Sequence, residues 1–243
     1  QNDIGVFEKA LQEDDDIAAV ILEPTGAHMG AEPILPSFLT ELREVTERYG
    51  VVLIFDEVIS FRVAPGGSQQ YYGITPDLTS LGKIIGGGFA VGAFGGRQDI
   101  MELYDPTKGP KVSHAGTFNA NPVTMVAGAV TLEHLTPDVY RDLAELTELL
   151  RQGIRRVCSD LEVPVQVTGL GSLFGIHFTG QPIVNYRDIA AEDAALRGQV
   201  FLGLMNEGIL MASNLVGGLS TALGEEEVNT FVGALQTILE RQR

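Results

Sequence analysis

Short apolar runs rich in β-branched residues alternate, over the first half of the chain, with stretches whose apolar positions recur every three or four residues. The first pattern predicts buried strands and the second amphipathic helices, and their alternation predicts a parallel α/β arrangement. Ile4, Phe7 and Leu11 share one helix face, and the acidic cluster from Glu13 to Asp16 ends that helix in a solvated loop. Residues 17–22 read as a buried strand that stops at Glu23-Pro24. Ser37 then reads as an N-cap, Phe38, Leu42 and Val45 as the packed face, and Gly50 as the stop of the next helix. Residues 51–55 (VVLIF) form a second strand running straight into Asp56-Glu57, so strand, helix and strand make a parallel crossover unit. Residues 78–81 give a short third strand ending in Gly82-Lys83, and 90–95 a fourth.

The pattern changes beyond Thr136-Pro137. A helix over 121–135 precedes that punctuation and a longer one over 138–158 follows it. Strands are expected at 165–168 and 172–178, a helix over 188–206, short strands near 209–211 and 216–220, and an amphipathic helix over 225–241. This end reads as a smaller, helix-backed α+β unit, which divides the chain into 1–136 and 137–243. No internal repeat or low-complexity tract interrupts either part.

Composition narrows the function classes. The 243 residues carry 32 acidic against 16 basic side chains, a formal charge of −16, so nucleic acid and anionic membranes are poor partners. No apolar run approaches the roughly 20 residues needed to span a bilayer, and the start lacks a signal-peptide pattern, so the expectation is a cytoplasmic protein. The single cysteine, Cys158, cannot form an internal disulfide and reads as a buried helix residue. Four scattered histidines lack metal-ligand spacing, so no metal site is expected. The chain opens at Gln1 on a polar segment that leads directly into a helix and a core strand, which reads as a beginning in mid-domain.

The candidate chemistry lies between residues 51 and 96. A buried parallel strand delivers the Asp56 carboxylate to the carboxyl edge of a sheet, where open α/β sheets bind their ligands. Lys83 stands between a strand end and Gly86-Gly87-Gly88, glycines that let backbone approach something closely. A lysine becomes a nucleophile through burial or its neighbours, and its characteristic product is a Schiff base with a carbonyl. Pyridoxal phosphate supplies that carbonyl and also needs an acidic partner for its pyridinium nitrogen, which Asp56 could provide. A solvated loop lysine and an aspartate capping the next turn would give the same local sequence. LIFDE also matches the magnesium-binding strand of nucleoside triphosphatases, but that reading needs G-x-x-x-x-G-K-[ST]. Here Gly82-Lys83 is followed by Ile84, and the glycines come after the lysine.

The segments LIFDEVI, PDLTSLGKIIGGG, VGAFGG and HAGTFNANP, in that order and spacing, closely resemble the class III aminotransferases of the fold type I pyridoxal phosphate enzymes. The likeness is nearest to glutamate-1-semialdehyde aminomutase and to aminotransferases of the β-phenylalanine type, and it extends over essentially the whole chain. It implies an α/β fold type I transferase, with part of the large mixed-sheet cofactor domain in 1–136 and an interdomain helix plus small α+β domain in 137–243. It also implies that the N-terminal portion, with its phosphate cup and stacking aromatic, is absent.

The resemblance assigns residues. Lys83 matches the lysine that holds pyridoxal 5′-phosphate as an internal aldimine and later moves the proton. Asp56 matches the partner of the ring nitrogen, Val58 the residue packing under the ring, and Glu23 a glutamate near the cofactor's hydroxyl edge. Thr117 matches a threonine that reaches the cofactor phosphate from the neighbouring subunit, which implies a homodimer with a shared site. His28 and His114 could line the site, whereas Ser113, Asn119 and Asn121 read as turn chemistry. The implied reaction moves an amino group between an amine or amino acid, including β-amino acids, and a keto acid or aldehyde. The intramolecular amino shift of the aminomutases is the alternative; residues 211–218 (MASNLVGG) lack the glutamate of the aminomutase gate, which counts against that label, and lack the arginine by which many aminotransferases hold a substrate carboxylate, which counts against strict amino acid specificity. A non-catalytic scaffold of the same fold is the rival from a different class.

Overall fold

The computed structural model describes residues 2–109 and 111–242. Two compact units emerge, one from residues 3–24 and 35–136, the other from residue 2, residues 25–34 and residues 137–242.

In the first unit α1 (Ile4–Glu13) begins at Asp3, whose side chain accepts a hydrogen bond from Val6 N at 3.1 Å. Its Leu11 packs with Val45 and Val51, so the helix and the start of the second strand share a core. β1 (Ala19–Leu22) is followed by α2 (Pro36–Tyr49) and β2 (Val52–Asp56). The start of α2 differs from the sequence expectation: Pro36 occupies the first turn after an extended Leu35, and no side chain caps the helix, so Ser37 is not its N-cap. Proline needs no partner for a missing N–H and presets φ, which makes a cap dispensable there. Gly50 ends α2 at φ +67°, in the left-handed region that glycine enters freely. The chain continues through α3 (Glu57–Ser60), α4 (Gly67–Tyr72), β3 (Leu78–Gly82), β4 (Gly92–Gly96), α5 (Gln98–Met101) and α6 (Pro122–His134).

The sheet order is β1-β2-β3-β4, with the first three strands parallel and β4 antiparallel to β3. Leu22 pairs with Phe55, and Asp56 with Ser80, so the carboxyl ends of β1, β2 and β3 lie along one edge. β2 is not buried on both faces as its apolar run predicted: Leu53 and Phe55 are fully buried, whereas Val52, Ile54 and Asp56 are half-buried.

The opposite edge is tied down by Asp77. Its carboxylate accepts from Leu53 N at 2.7 Å, Arg43 Nη1 at 3.1 Å and Arg97 Nη1 at 3.2 Å, and its carbonyl accepts from Arg97 N at 2.8 Å. One residue thereby joins α2, β2 and the exit of β4 to the entrance of β3. Burial pushes the Asp77 carboxyl upward, but the Leu53 amide and the two guanidinium groups outweigh it and hold the carboxyl below its ordinary value.

In the second unit α7 (Pro137–Asp160) leads to β5 (Gln166–Thr168), β6 (Leu173–His177), α8 (Tyr186–Ile189), α9 (Ala194–Asn206), β7 (Val216–Gly218) and α10 (Glu225–Glu240). The strands form an antiparallel sheet in the order β5-β6-β7. Leu150, Ile154, Ile176, Leu204, Leu215, Leu235 and Leu239 make a continuous core in which Cys158 is enclosed. Burial pushes the Cys158 thiol up to about 11, which leaves it an inert packing residue. The helix expected over 188–206 is two helices, because Asn185 caps α8 and Asp193 caps α9 afresh by accepting from Leu196 N. Residues 209–211 form no strand.

Residues 25–34 join this unit through His177. Its Nε2 donates to Gly30 O at 2.8 Å, and Thr168 Oγ1 donates to the same oxygen at 2.5 Å. Glu192 accepts from His177 Nδ1 at 3.2 Å and also takes the Arg197 guanidinium. Gly30 has φ +70°, and a Cβ there would fall 2.5 Å from His177 Cε1. Among the described residues no helix is long and apolar enough to cross a membrane.

The Asp77 cluster carries a pH signature. A carboxyl whose folded value lies below its unfolded one, about 3.9, leaves the unfolded chain holding more protons at intermediate pH, so its stabilisation is complete above that value and lost as pH falls through the lower folded value. Asp77→Asn is expected to cost about 2 kcal/mol at pH 7. Denaturant titrations of both proteins should show that difference shrinking below roughly pH 4; a difference independent of pH would refute it.

Candidate active site

Three parallel strands deliver three candidate residues to one edge. Glu23 follows the last residue of β1, Asp56 ends β2, and Lys83 follows the last residue of β3. The β1–β2 register sets Glu23 level with Asp56, and Lys83 lies three residues beyond Ser80, the partner of Asp56. Asp56 doubles as the N-cap of α3: its Oδ1 accepts from Val58 N at 3.1 Å and from Ser80 Oγ at 3.0 Å. Its second carboxylate oxygen has no hydrogen-bond partner among the described residues. Val58 lies beside Gly82, where a Cβ would come within 3.2 Å of Val58 Cγ1 and 3.4 Å of Val91 O. Glycine at 82 therefore keeps a space open between Val58 and the β4 approach.

Lys83 sits at φ +48°, in the left-handed region where side-chain-bearing residues are uncommon, at the start of a single 3-10 turn. It is exposed, and its ammonium makes no hydrogen bond or ion pair among the described residues. Of the glycines after it, Gly87 serves a packing role, whereas Gly88 faces open space. Cβ atoms on Gly87 and Gly128 would fall 2.3 Å from Ala127 O and 2.1 Å from Ile85 O, so the turn and α6 meet backbone to backbone. The expected close approach is thus to a helix of the chain itself.

The strand-end turn is stiffened from below. Glu57, fully buried, accepts from Ser68 N at 2.6 Å, Gln69 N at 3.2 Å and Gln69 Nε2 at 3.1 Å. Gln69 Nε2 also reaches Thr79 Oγ1 at 3.4 Å, the residue before Ser80. Gly67, at φ +75°, admits Glu57, since a Cβ there would meet its Oε2 at 2.1 Å.

Thr117 stands exposed in the turn 117–120 and makes no hydrogen bond among the described residues. Asn121 caps α6, accepting from Val123 N at 2.9 Å, as its turn reading implied. His114 joins an edge-to-face cluster with Phe94 and Tyr104 beside an open groove of 1090 Å³, which α6, β4 and the 118–121 turn line mainly with apolar atoms. His28 is exposed. No metal-binding group of side chains forms among the described residues.

The family model for aminotransferase class-III matches residues 4–218. The chain belongs to the class-III aminotransferases. It is 43% identical over 232 residues to a glutamate-1-semialdehyde 2,1-aminomutase 2 of Geobacillus kaustophilus, a match that covers 94% of this chain and 54% of that protein. Among solved structures, an omega-transaminase from Sphaerobacter thermophilus superimposes with a TM-score of 0.95 at 48% identity, covering 98% of this chain and 56% of that one. A β-phenylalanine aminotransferase from Variovorax paradoxus gives 0.93 at 40% identity, covering 99% and 56%. The chain spans about half the length of the relatives it matches.

Pyridoxal 5′-phosphate is the cofactor of this family, and the edge fits it. Lys83 offers an unengaged amine, Asp56 keeps one carboxylate oxygen unengaged, and Gly82 leaves room beside Val58. Ser80, Glu57 and Gln69 escaped the sequence reading; the signal for Ser80 was its two-residue spacing from Gly82, which places both on one strand face.

Gly128→Ala should overpack the contact between α6 and the lysine turn. The expected loss is about 1–3 kcal/mol in a denaturant titration. Unchanged stability would show that the contact relaxes freely.

Proposed function

We propose that this chain carries the lysine half of a pyridoxal phosphate-dependent transaminase, moving an amino group between an amine or amino acid and a keto acid or aldehyde. The observation that carries the reading is the shared edge: a pinned Asp56 with one unengaged oxygen, and an exposed Lys83 on a left-handed turn one strand away. Lys83 would hold the cofactor through Nζ and would serve as the base that moves the proton at the substrate carbon. Asp56 would pair with the ring nitrogen through its unengaged oxygen and favour its protonated form. Val58 would pack against the ring and Glu23 would border its hydroxyl edge. The bound cofactor supplies an aldehyde that takes up the amino group and a ring that withdraws electrons from the reacting carbon.

Residues 1–136 would then belong to the large cofactor domain, and 137–243 supply the interdomain helix and small domain. Residues 211–218 offer no cation, so the reading favours substrates that do not rely on a carboxylate bound there. The likeness to the β-phenylalanine aminotransferase supports a β-amino acid as one donor class. The likeness to aminomutases supports a second reading, an amino shift within glutamate 1-semialdehyde. Transfer to a separate carbonyl acceptor, followed by chromatography of both products, separates the two.

α6 is apolar on every side, with Val123, Met125, Val126 and Val130 exposed, and Phe118 is 82% exposed. Such a helix belongs in a larger core or an interface. We therefore read residues 115–129 as the contact of a two-fold homodimer in which Thr117 reaches the neighbour's phosphate. A full-length protein that sediments as a monomer at assay concentration with full activity would refute this.

Two measurements test the lysine and aspartate roles in the full-length protein. Borohydride reduction and peptide mapping should place the pyridoxyl label on Lys83; a label on Lys108 or Lys111 would overturn the assignment. Asp56→Asn should lower turnover by roughly two orders of magnitude or more, about 2.7 kcal/mol in the barrier, with melting unchanged, and near-native turnover would rule its role out.

A further inference from the structure

The Asp56 carboxylate is held by two donors of different origin, and both act on the same oxygen. Val58 N belongs to the turn that Asp56 itself begins, whereas Ser80 Oγ comes from the neighbouring strand. A carboxylate held only by its own turn can rotate about its last side-chain bond, a broad two-fold torsion, and exchange its oxygens. A second donor from a fixed strand removes that freedom. The Ser80 hydroxyl has no other partner among the described residues. β3 is itself braced at Thr79 through Gln69 and the buried Glu57, so the hydroxyl is presented from a rigid element. Three residues later the same strand delivers Lys83.

Resting on the transaminase reading above, we propose that Ser80 is a positioning residue: its hydroxyl locks Oδ1 of Asp56 and ties it to the strand that carries Lys83, so that only the second oxygen is left to meet the cofactor ring nitrogen. Ser80 touches neither cofactor nor substrate in this role. The hydroxyl also draws part of the carboxylate charge onto Oδ1, so its loss alters how strongly Asp56 holds the proton on the ring nitrogen.

The test uses the full-length protein reconstituted with pyridoxal 5′-phosphate and four variants: Ser80→Ala, Ser80→Thr, Asp56→Asn, and Ser80→Ala combined with Asp56→Asn. Two quantities are read: the cofactor dissociation constant from an absorbance titration, and the pH midpoint of the bound cofactor's visible band. Ser80→Ala is expected to weaken cofactor binding roughly tenfold, the scale of one hydrogen bond to a charged group, and to shift the band's midpoint. Ser80→Thr, which keeps the hydroxyl, should restore both. In the Asp56→Asn background, removing the hydroxyl should change neither further, because the two residues act as one unit. If Ser80→Ala does not fold, Ser80→Cys, nearly isosteric and a far weaker donor, takes its place with the same expectation. A wild-type midpoint and affinity in Ser80→Ala, while Asp56→Asn moves both, would overturn the role of Ser80 and leave the transaminase reading intact. If Asp56→Asn also moves neither, the reading of Asp56 falls and this inference with it.

Discussion

The parallel pairing of β2 with β3, in the register that sets Asp56 against Ser80, is the constraint on which the candidate site depends. Because side chains alternate along a strand, a slip of one residue would turn Asp56 and Ser80 to opposite faces and carry Lys83 with the error. The register is held at both ends. At the entrance Asp77 joins Leu53, Arg43 and Arg97, and at the exit Asp56 joins Ser80 while Glu57 reaches Thr79 through Gln69. The carboxylates at these points are structural, since each fixes a strand whose far end bears another.

Glycine controls how closely the surrounding backbone comes. Gly87 and Gly128 let the lysine turn rest on α6 with no side chain between them, while Gly82 keeps space beside Val58. Lys83 remains exposed and in the left-handed region because the turn around it is fixed by these contacts rather than by its own side chain. The strain of a non-glycine residue at positive φ, of order 1–3 kcal/mol, persists only where neighbours over-determine the backbone, and such residues cluster at ligand sites.

The second unit is built on different terms. Its core is an apolar cluster between α7, α9, α10 and the antiparallel sheet, and a buried polar knot around His177, Glu192 and Gly30 recruits residues 25–34 from far earlier in the chain. The first unit, by contrast, leaves much of α6 and the edges of its sheet uncovered: Ile21 of β1 is 61% exposed and Phe94 of β4 40%.

The sequence by itself determined the alternation of elements in the first unit, because apolar period and glycine and proline punctuation are local properties. It also singled out Asp56 and Lys83, since a carboxylate ending an apolar run and a lysine between a strand and three glycines are visible without any contact. It misread what depended on context. Pro36 removed the need for a Ser37 cap, Asp193 interrupted a helix that apolar spacing carried through, and 209–211 found no strand to pair with. What had to wait for the tertiary structure is that Ser80 faces Asp56, that Gly87 lets the lysine turn rest on α6, and that residues 25–34 belong with His177. Each is set by strand register or by a contact between residues distant in the chain, and no local pattern encodes a partner 24 or 147 residues away.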